Sequence, residues 1–263
     1  YDTAVLLPNS FRSAALAAMS GIKRRVGYDR DGRGVLLTDR LVSRHDGKAY
    51  VPVPAIDYYL SLAHYLGAVA CEGDHKMQVA TRPEDDVRAA SLLESAKGRP
   101  VVLLNPGAAK IEKRWAPQSF AQLAGRLHDE LGFAVAVTGA PDEREVVARV
   151  AGAAPCRVID LLKTGATVSQ LKSVMKRCRL VVTNDTGPRH LAAALEVPVV
   201  TLFGPTNPAW TEIGFAHEQQ LVAADPEAPD AMRQITVSQV FDAAAQLIEK
   251  TLPLADSDGA TQA

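Results

Sequence analysis

The chain has few residues that could hold it together covalently or bind a metal, since only three cysteines occur among its 263 residues. These are Cys71, Cys156 and Cys178, which show no Cys-x-x-Cys spacing. We interpret them as buried, reduced thiols and expect neither a disulfide nor a metal site. The chain also lacks an excess of either charge, since it has 29 basic and 30 acidic residues. The basic excess that marks a nucleic-acid partner is therefore missing, and we expect none.

Long apolar runs are missing as well. No run approaches the roughly 20 residues that a helix needs to cross a bilayer, and no signal-peptide pattern opens the chain. We therefore expect a cytoplasmic protein without a transmembrane segment, either free or in peripheral contact with a membrane surface. The chain opens on Tyr1 and Asp2, without a methionine, and enters a strand at Thr3. A domain that begins inside a sheet predicts an N-terminally truncated protein.

The hydrophobic pattern, with 47% hydrophobic residues, provides enough apolar side chains for one large or two modest cores. From Pro100 onward, near-continuous apolar strands alternate with amphipathic helices, which indicates a parallel sheet covered on both faces. We predict an α/β protein with a partial domain and linker over residues 1–98, a second domain over 99–250 and a disordered tail over 251–263. Ligands of such sheets bind beyond the carboxyl ends of the strands.

The most informative segment is an apolar strand that begins at Val181 and runs into the turn Asn184-Asp185-Thr186-Gly187, which opens directly onto an alanine-rich helix. A helix N-terminus at a strand end presents unpaired N–H groups and a positive dipole, which suit a phosphate. Thr186 adds a hydroxyl, and Gly187 allows close approach to the backbone. The turn Gly204-Pro205-Thr206 follows the next strand, so the two turns predict a crevice.

A basic loop follows the first strand of this second half. It opens on Asn105 and a glycine turn at Gly107 and continues with Lys110, Lys113 and Arg114. Backbone N–H groups and cations of this kind could bind a diphosphate. The alternative, a solvated basic loop, stays open from these residues alone.

Four polar residues near these turns each allow two interpretations. Glu143, with Asp142, either complements a helix dipole or binds ribose hydroxyls. Asp185 either shapes its turn as an N-cap does or accepts from a ligand hydroxyl. His190 is either a core residue or a ligand contact. The glycine turns match neither G-x-G-x-x-G nor a Walker sequence, so neither hydride transfer nor ATP hydrolysis is indicated.

Two motifs of the second half resemble those of a known family: Asn184-Asp-Thr-Gly-Pro-x-His190-Leu-Ala-Ala-Ala, and Pro198-x-Val-x-Leu-Phe-Gly-Pro-Thr-x-Pro208. They are similar to those of the ADP-heptose:lipopolysaccharide heptosyltransferases, glycosyltransferase family nine. The segments Asn105-Pro-Gly-Ala with Lys113-Arg-Trp, and Leu7-Pro-Asn-Ser-Phe-Arg-Ser-Ala14, resemble the heptosyltransferase II branch most.

The resemblance covers nearly the whole chain. It implies a GT-B fold of two Rossmann-like parallel-sheet domains, here with the N-terminal one incomplete. It further implies inverting, metal-independent transfer of heptose from ADP-heptose to the lipid A–core acceptor at the inner membrane, without a cofactor. The C-terminal half would bind the donor and the N-terminal half the acceptor.

The resemblance also assigns roles to residues at matching positions. Lys113 would neutralise the diphosphate leaving group, Thr186 and Gly187 would bind phosphate oxygens, and Asp185 and His190 would lie beside them. Glu143 would bind the ribose, and Gly107 belongs to the same substrate-binding set.

The chain departs from the family at one important position. The family's first strand ends in a Gly-Asp whose aspartate is the expected general base, and its equivalent would lie upstream of Tyr1. Two other interpretations therefore stay open: an inactive nucleotide-sugar-binding module, and a GT-B enzyme that uses another nucleotide sugar.

Overall fold

The computed structural model of the chain describes residues 1–71 and 75–251. They divide into two compact units: Tyr1–Lys76 with Pro208–Gly214, and Met77–Asn207 with the chain from Phe215 onward. Among these residues, no helix is both long and apolar enough to span a bilayer. The tail expected over residues 251–263 lies, apart from Thr251, outside the described residues.

The first unit contains a three-stranded parallel sheet of order β1-β2-β3. Its elements are β1 (Thr3–Leu6), α1 (Phe11–Met19), β2 (Arg24–Tyr28), a 3-10 helix (Arg33–Leu36), β3 (Asp39–Leu41) and α2 (Ala55–Tyr65). Helix α1 begins at Phe11, because the Ser10 hydroxyl accepts a hydrogen bond from the Ser13 N–H and caps the helix. The sequence does not predict strand β3, because it is only three residues long and two of them, Asp39 and Arg40, are charged.

The second unit contains a six-stranded sheet of order β6-β5-β4-β7-β8-β9, in which every pairing is parallel. Its strands are β4 (Val101–Asn105), β5 (Ala134–Val137), β6 (Val158–Asp160), β7 (Leu180–Asn184), β8 (Val199–Phe203) and β9 (Glu218–Val222). Its helices are α3 (Pro83–Leu92), α4 (Pro117–Asp129), α5 (Arg144–Ala153), α6 (Val168–Lys176), α7 (Gly187–Ala194) and α8 (Val237–Thr251). The predicted α/β fold with two parallel sheets is confirmed.

Two hydrophobic cores cover the two faces of the larger sheet. Val102 and Leu104 of β4 pack in one core with side chains of α4, α5 and α8. Val101 and Leu103 pack in the other with α3 and α6. Successive side chains of a strand point to opposite faces, so a strand that is apolar at every position is covered on both sides. This explains why the continuous apolar runs of the sequence identified the strands.

The boundary between the units differs from the sequence expectation of residue 98. Helix α3 lies in the second unit, where Ala89, Leu92, Leu93 and Ala96 belong to the same buried core as β4. From the sequence alone, α3 is interpreted as part of a linker. The hydrophobic pattern of the helix does not show that it packs against β4, which follows it in the chain.

The order of the larger sheet reverses direction between β4 and β7, since chain order runs outward to β6 on one side and to β9 on the other. In open α/β sheets, ligands bind at such a switch point, outside the carboxyl ends of the strands. The turns that follow Asn105 and Asn184 begin at this point.

Candidate functional site

A cavity of about 690 Å³ lies in the second unit, at the carboxyl ends of the strands around the switch point. Six of the seven residues that the sequence proposes for the site line it: Gly107, Lys113, Glu143, Asp185, Thr186 and Gly187. His190 and the turn Gly204–Thr206 are not among its lining residues. Lys113 and Thr186, which come from separate loops, therefore share one cleft.

The N-terminus of α7 forms one wall of this cavity. Thr186 is the N-cap residue, in extended conformation, and Gly187 and Pro188 occupy the first turn. The N-cap of α7 is thus Thr186. An N-cap-like role had been one of the two interpretations for Asp185. First-turn N–H groups lack partners within a helix, and no acidic residue lies in this turn. The wall therefore suits an anion.

Lys113 supplies a cation to the same cavity from the opposite loop. It ends a 3-10 helix (Ile111–Lys113), and its Nζ lies 3.1 Å from Asp185 Oδ2. Lys110 also lines the cavity, but its side chain is 70% exposed. The Nε of Arg114 instead donates to the Ala108 carbonyl at 2.7 Å. Of the three basic residues in the loop, Lys113 is the one that is paired with Asp185 of the turn Asn184–Gly187.

Two asparagines at strand ends hold the loops in place. Asn184 Nδ2 donates to the carbonyls of Pro106 and Gly107 at 3.0 and 3.1 Å, while its Oδ1 accepts from the Trp115 N–H at 3.1 Å. Asn105 Nδ2 lies 3.2 Å from the Thr183 hydroxyl and 3.4 Å from that of Thr186. The loops that follow β4 and β7 are therefore each tied to the neighbouring strand end.

Trp115 fixes the far end of the basic loop. Its ring is 1% exposed and packs edge-on against Phe120, with ring centroids 5.0 Å apart. Its indole N–H donates to the Ile235 carbonyl at 2.8 Å. The buried ring anchors the loop, and Lys113, two residues earlier, reaches the cavity.

Glu143 and Gly107 are in direct contact across the cavity floor. Glu143 Oε2 accepts a hydrogen bond from the Ala140 N–H at 2.7 Å, so the carboxylate closes the turn that begins the next helix. An ideal Cβ on Gly107 would lie 1.9 Å from this oxygen, which leaves room for glycine alone. Part of Glu143's role is thus structural, and a ribose contact through the same carboxylate remains a proposal.

The remaining wall of the cavity is apolar. Val168, Leu171 and Leu191 line it, and Val168 is 72% exposed. Val168, at the first helical position of α6, therefore presents an exposed apolar surface in the same cavity as the turn Asp185–Gly187. An aromatic base has the shape and polarity to pack there.

Arg189 and Glu218 form a buried ion pair behind this site that sequence reasoning missed. Arg189 is 0% exposed, and its Nε lies 2.5 Å from Glu218 Oε1. Burial would raise the pKa of Glu218, but hydrogen bonds from Arg189, Thr201 and Gln220 hold it below its usual value. The only signal in the sequence was an arginine in an otherwise alanine-rich helix. Its partner lies 29 residues away, on the unpredicted strand β9.

His190 is half-buried on α7. Burial first, and then the charge of Arg189, lower its pKa below the ordinary value. Its imidazole is therefore neutral at physiological pH and adds no positive charge to the anion-binding wall. The second reading, a contact with the ligand, remains a proposal.

The first unit has a cavity of its own, of about 390 Å³. Its lining includes Tyr28, Arg30, Ser43, Arg44 and Tyr58, and no carboxylate. Tyr28 and Tyr58 are stacked, with ring centroids 3.7 Å apart. Arg30 Nε and Ser43 Oγ are buried and form no hydrogen bond with any described residue. The cavity is therefore aromatic and positively charged.

The chain is similar to known proteins over most of its length. The family model for glycosyltransferase family 9 (heptosyltransferase) matches residues 1–240. The chain is 31% identical over 224 residues to lipopolysaccharide heptosyltransferase 2 of Escherichia coli strain K12, and the match covers 80% of this chain and 62% of that protein. It is 29% identical over 222 residues to lipooligosaccharide heptosyltransferase 2 of Haemophilus influenzae, with the same two shares. The chain thus spans 62% of the length of these curated relatives.

Solved structures agree with these matches. The structure of E. coli ADP-heptose lps heptosyltransferase II superposes with a TM-score of 0.75 at 27% identity, over 95% of this chain and 77% of that one. A family 9 glycosyltransferase from Veillonella parvula shares the fold, with a TM-score of 0.76 at 23% identity over 95% and 75% of the two chains. The resemblance inferred from the Asp-Thr-Gly and Gly-Pro-Thr motifs is confirmed, and the chain belongs to glycosyltransferase family 9, the heptosyltransferases.

Proposed function

We propose that this chain is part of a heptosyltransferase of lipopolysaccharide core synthesis, and that its second unit binds ADP-heptose. One observation carries the proposal: Lys113 and the N-terminus of α7 line the same cavity at the switch point of the sheet. A nucleoside diphosphate matches this arrangement, because its phosphates need a cation and N–H donors while its base needs an apolar surface. Val168, Leu171 and Leu191 supply that surface.

The site also suits the chemistry of transfer. As the bond between the sugar and the diphosphate breaks, negative charge grows on the leaving diphosphate. Lys113 and the N–H groups of the Thr186–Gly187 turn are already in place to stabilise that charge, and one such donor is worth about 3 kcal/mol in catalysis. We propose that Lys113, rather than a metal ion, neutralises the leaving group, and that the transfer is inverting, as the family resemblance implies. A general base would accept the proton of the acceptor hydroxyl.

We further propose that the acceptor is the inner-core region of lipid A–core, met on the cytoplasmic face of the inner membrane. The cavity of the first unit supports this, because Arg30 and Arg44 attract anionic groups and its tyrosine rings can pack against a sugar. The names of the relatives support the same substrate, since they are heptosyltransferases of lipopolysaccharide and lipooligosaccharide.

Titration with ADP tests the donor site. We expect ADP to bind the 263-residue chain in calorimetry with or without EDTA, and Lys113→Ala to raise its Kd about tenfold or more, because a charge-assisted contact is lost. Lys110→Ala is the matched control: it removes a cation from the same loop whose side chain is 70% exposed, so the Kd should change less than about twofold. Titration with UDP in place of ADP tests whether the site prefers a nucleotide sugar other than an ADP-sugar.

An ADP Kd unaffected by Lys113→Ala would contradict the donor site. UDP binding as tight as ADP would contradict adenine selectivity. For the acceptor side, Arg44→Ala in an enzyme that includes the expected aspartate should raise the KM for a truncated-core acceptor and leave the ADP Kd unchanged. An unchanged acceptor KM would exclude this cavity as the acceptor site.

A further inference from the structure

Arg189 occupies a position that helix electrostatics disfavours. It lies in the first turn of α7, where the helix dipole repels a cation, and it is 0% exposed. Glu218 compensates for the repulsion by the helix dipole and for the burial of the charge. Its two oxygens accept hydrogen bonds from Arg189 Nε at 2.5 Å and from Arg189 Nη2 at 2.8 Å. This forked geometry is that of a strong ion pair. Thr201 also donates its hydroxyl to Glu218 Oε1 at 2.5 Å. A buried cation is therefore fixed directly beneath the phosphate-binding turn.

The other side of the Arg189 guanidinium faces Asp185. Arg189 Nη1 lies 3.6 Å from Asp185 Oδ1, while Lys113 Nζ lies 3.1 Å from Asp185 Oδ2. The four side chains form a row of alternating charge, in the order Lys113, Asp185, Arg189 and Glu218. Their exposed fractions fall from 26% at Lys113 to 6% at Asp185 and 0% at Arg189. The row thus runs from the cavity wall into the interior.

The row has a consequence for ligand binding. Lys113 is the outer cation of Asp185 and is also the cation proposed to bind the donor's diphosphate. When Lys113 turns toward a diphosphate, Asp185 loses the cation that lies 3.1 Å from its Oδ2. A carboxylate that is almost fully buried is strongly destabilised when it is left without a cation. Arg189 remains beside Asp185 whichever partner Lys113 takes.

We propose that Arg189, held by Glu218, is a positioning residue that keeps Asp185 compensated while Lys113 exchanges this carboxylate for the diphosphate of the donor. The inference rests on the proposed function, because it requires a diphosphate ligand in this cavity. Arg189 acts through Asp185 and Lys113, and it does not need to touch the ligand. Without it, Lys113 is held more firmly by Asp185 and binds a diphosphate less well.

The test must remove Arg189 without leaving Glu218 buried and unpaired, because breaking one side of a buried pair destabilises the fold. The paired change Arg189→Met with Glu218→Gln removes both charges and keeps the bulk against Phe203, whose ring centroid lies 5.0 Å from Arg189 Cζ. Thermal unfolding and circular dichroism of each variant check that the fold is retained. Arg189→Lys, which keeps the charge but cannot reach both carboxylates with a fork, serves as the second variant.

A double-mutant cycle on ADP binding separates positioning from a general electrostatic effect. In the wild-type background, we expect the paired change to raise the ADP Kd about tenfold, the size of one charge-assisted contact. In the Lys113→Ala background, the same change should raise the Kd less than about twofold, because no lysine is left to exchange partners. Arg189→Lys should show the same dependence on Lys113 with a smaller effect.

Equal increases of Kd in both backgrounds would overturn the inference, since Arg189 would then act on the ligand without Lys113. No increase in either background would overturn it as well. These outcomes differ from failure of the proposed function, in which ADP does not bind the wild-type chain or Lys113→Ala has no effect. If ADP binds and Lys113 matters but the cycle is additive, only the role of Arg189 is lost.

Discussion

A methyl group at Gly107 is the smallest change that should disrupt the candidate site. An ideal Cβ on Gly107 would lie 1.9 Å from Glu143 Oε2 and 2.2 Å from its Cδ. The carboxylate has little freedom to move away, because Oε2 accepts the Ala140 N–H at 2.7 Å and the residue is 9% exposed. In Gly107→Ala, either the loop or the carboxylate must therefore be displaced.

The size of the effect follows from what is displaced. Loss of one hydrogen bond to a charged group lowers the free energy of unfolding by about 1.5–3 kcal/mol, and overpacking a filled site costs about 1–3 kcal/mol. In a domain of this size each kcal/mol lowers Tm by about 2–4 °C, so a loss of 1.5–3 kcal/mol corresponds to roughly 3–12 °C. The ADP Kd should rise as well, because Gly107 lines the cavity.

Thermal unfolding and ADP titration of Gly107→Ala and Gly152→Ala provide the measurement. Gly152 lies in α5, an ideal Cβ there meets no atom within 4 Å, and alanine is a better helix former by about 1 kcal/mol. The Tm of Gly152→Ala should equal or exceed that of the wild type. Adding Glu143→Ala to Gly107→Ala should recover part of the lost Tm, because the clashing carboxylate is gone. A Gly107→Ala variant with the Tm and ADP Kd of the wild type would refute the packing argument.

Two further predictions concern titratable groups outside the cavity. Burial raises the pKa of Cys178 to about 12, so its thiol stays protonated at pH 8. We expect Cys178 to resist iodoacetamide at this pH while the exposed Cys71 reacts. Equal labelling of the two cysteines, measured by mass spectrometry, would contradict this. Hydrogen bonds from Thr38, and then from Arg24 and Tyr65, lower the pKa of Asp39 to about 2. The folded pKa lies below the unfolded one, so its contribution to stability is full above about pH 4 and is lost as the pH falls toward 2. Thr38→Val should move the NMR titration midpoint of Asp39 upward, and an unchanged midpoint would show that the Thr38 hydrogen bond does not matter.

Much of the fold could be predicted because its signals are local. Strands β4, β7 and β8 are buried at every residue, so a continuous apolar run marks each of them. Helix α6 begins after Thr167, which forms a capping box with Gln170, a pattern that three neighbouring residues set. The turns of the candidate site were found in the same way, because each follows a recognisable strand.

The elements that sequence reasoning missed depend on contacts between distant residues. Strand β9, Glu218–Val222, carries a glutamate and two glutamines, and its buried carboxylate is acceptable only because Arg189 is beside it. The expectation that all three cysteines are buried is wrong for Cys71, which is exposed. Exposure of a single small residue depends on how the surrounding chain packs, which its neighbours in the sequence do not determine.

The asparagine bonds at the strand ends have a consequence for how the site can evolve. Since Asn105 and Asn184 join the loops to the sheet from within the chain, the floor of the cleft is preorganised, and a ligand loses little affinity in ordering it. Val168 lines the same cavity and takes no part in those bonds. If the cavity binds a nucleotide as proposed, substitutions at Val168 can therefore shift nucleotide preference over generations without disturbing the asparagine bonds that hold the loops.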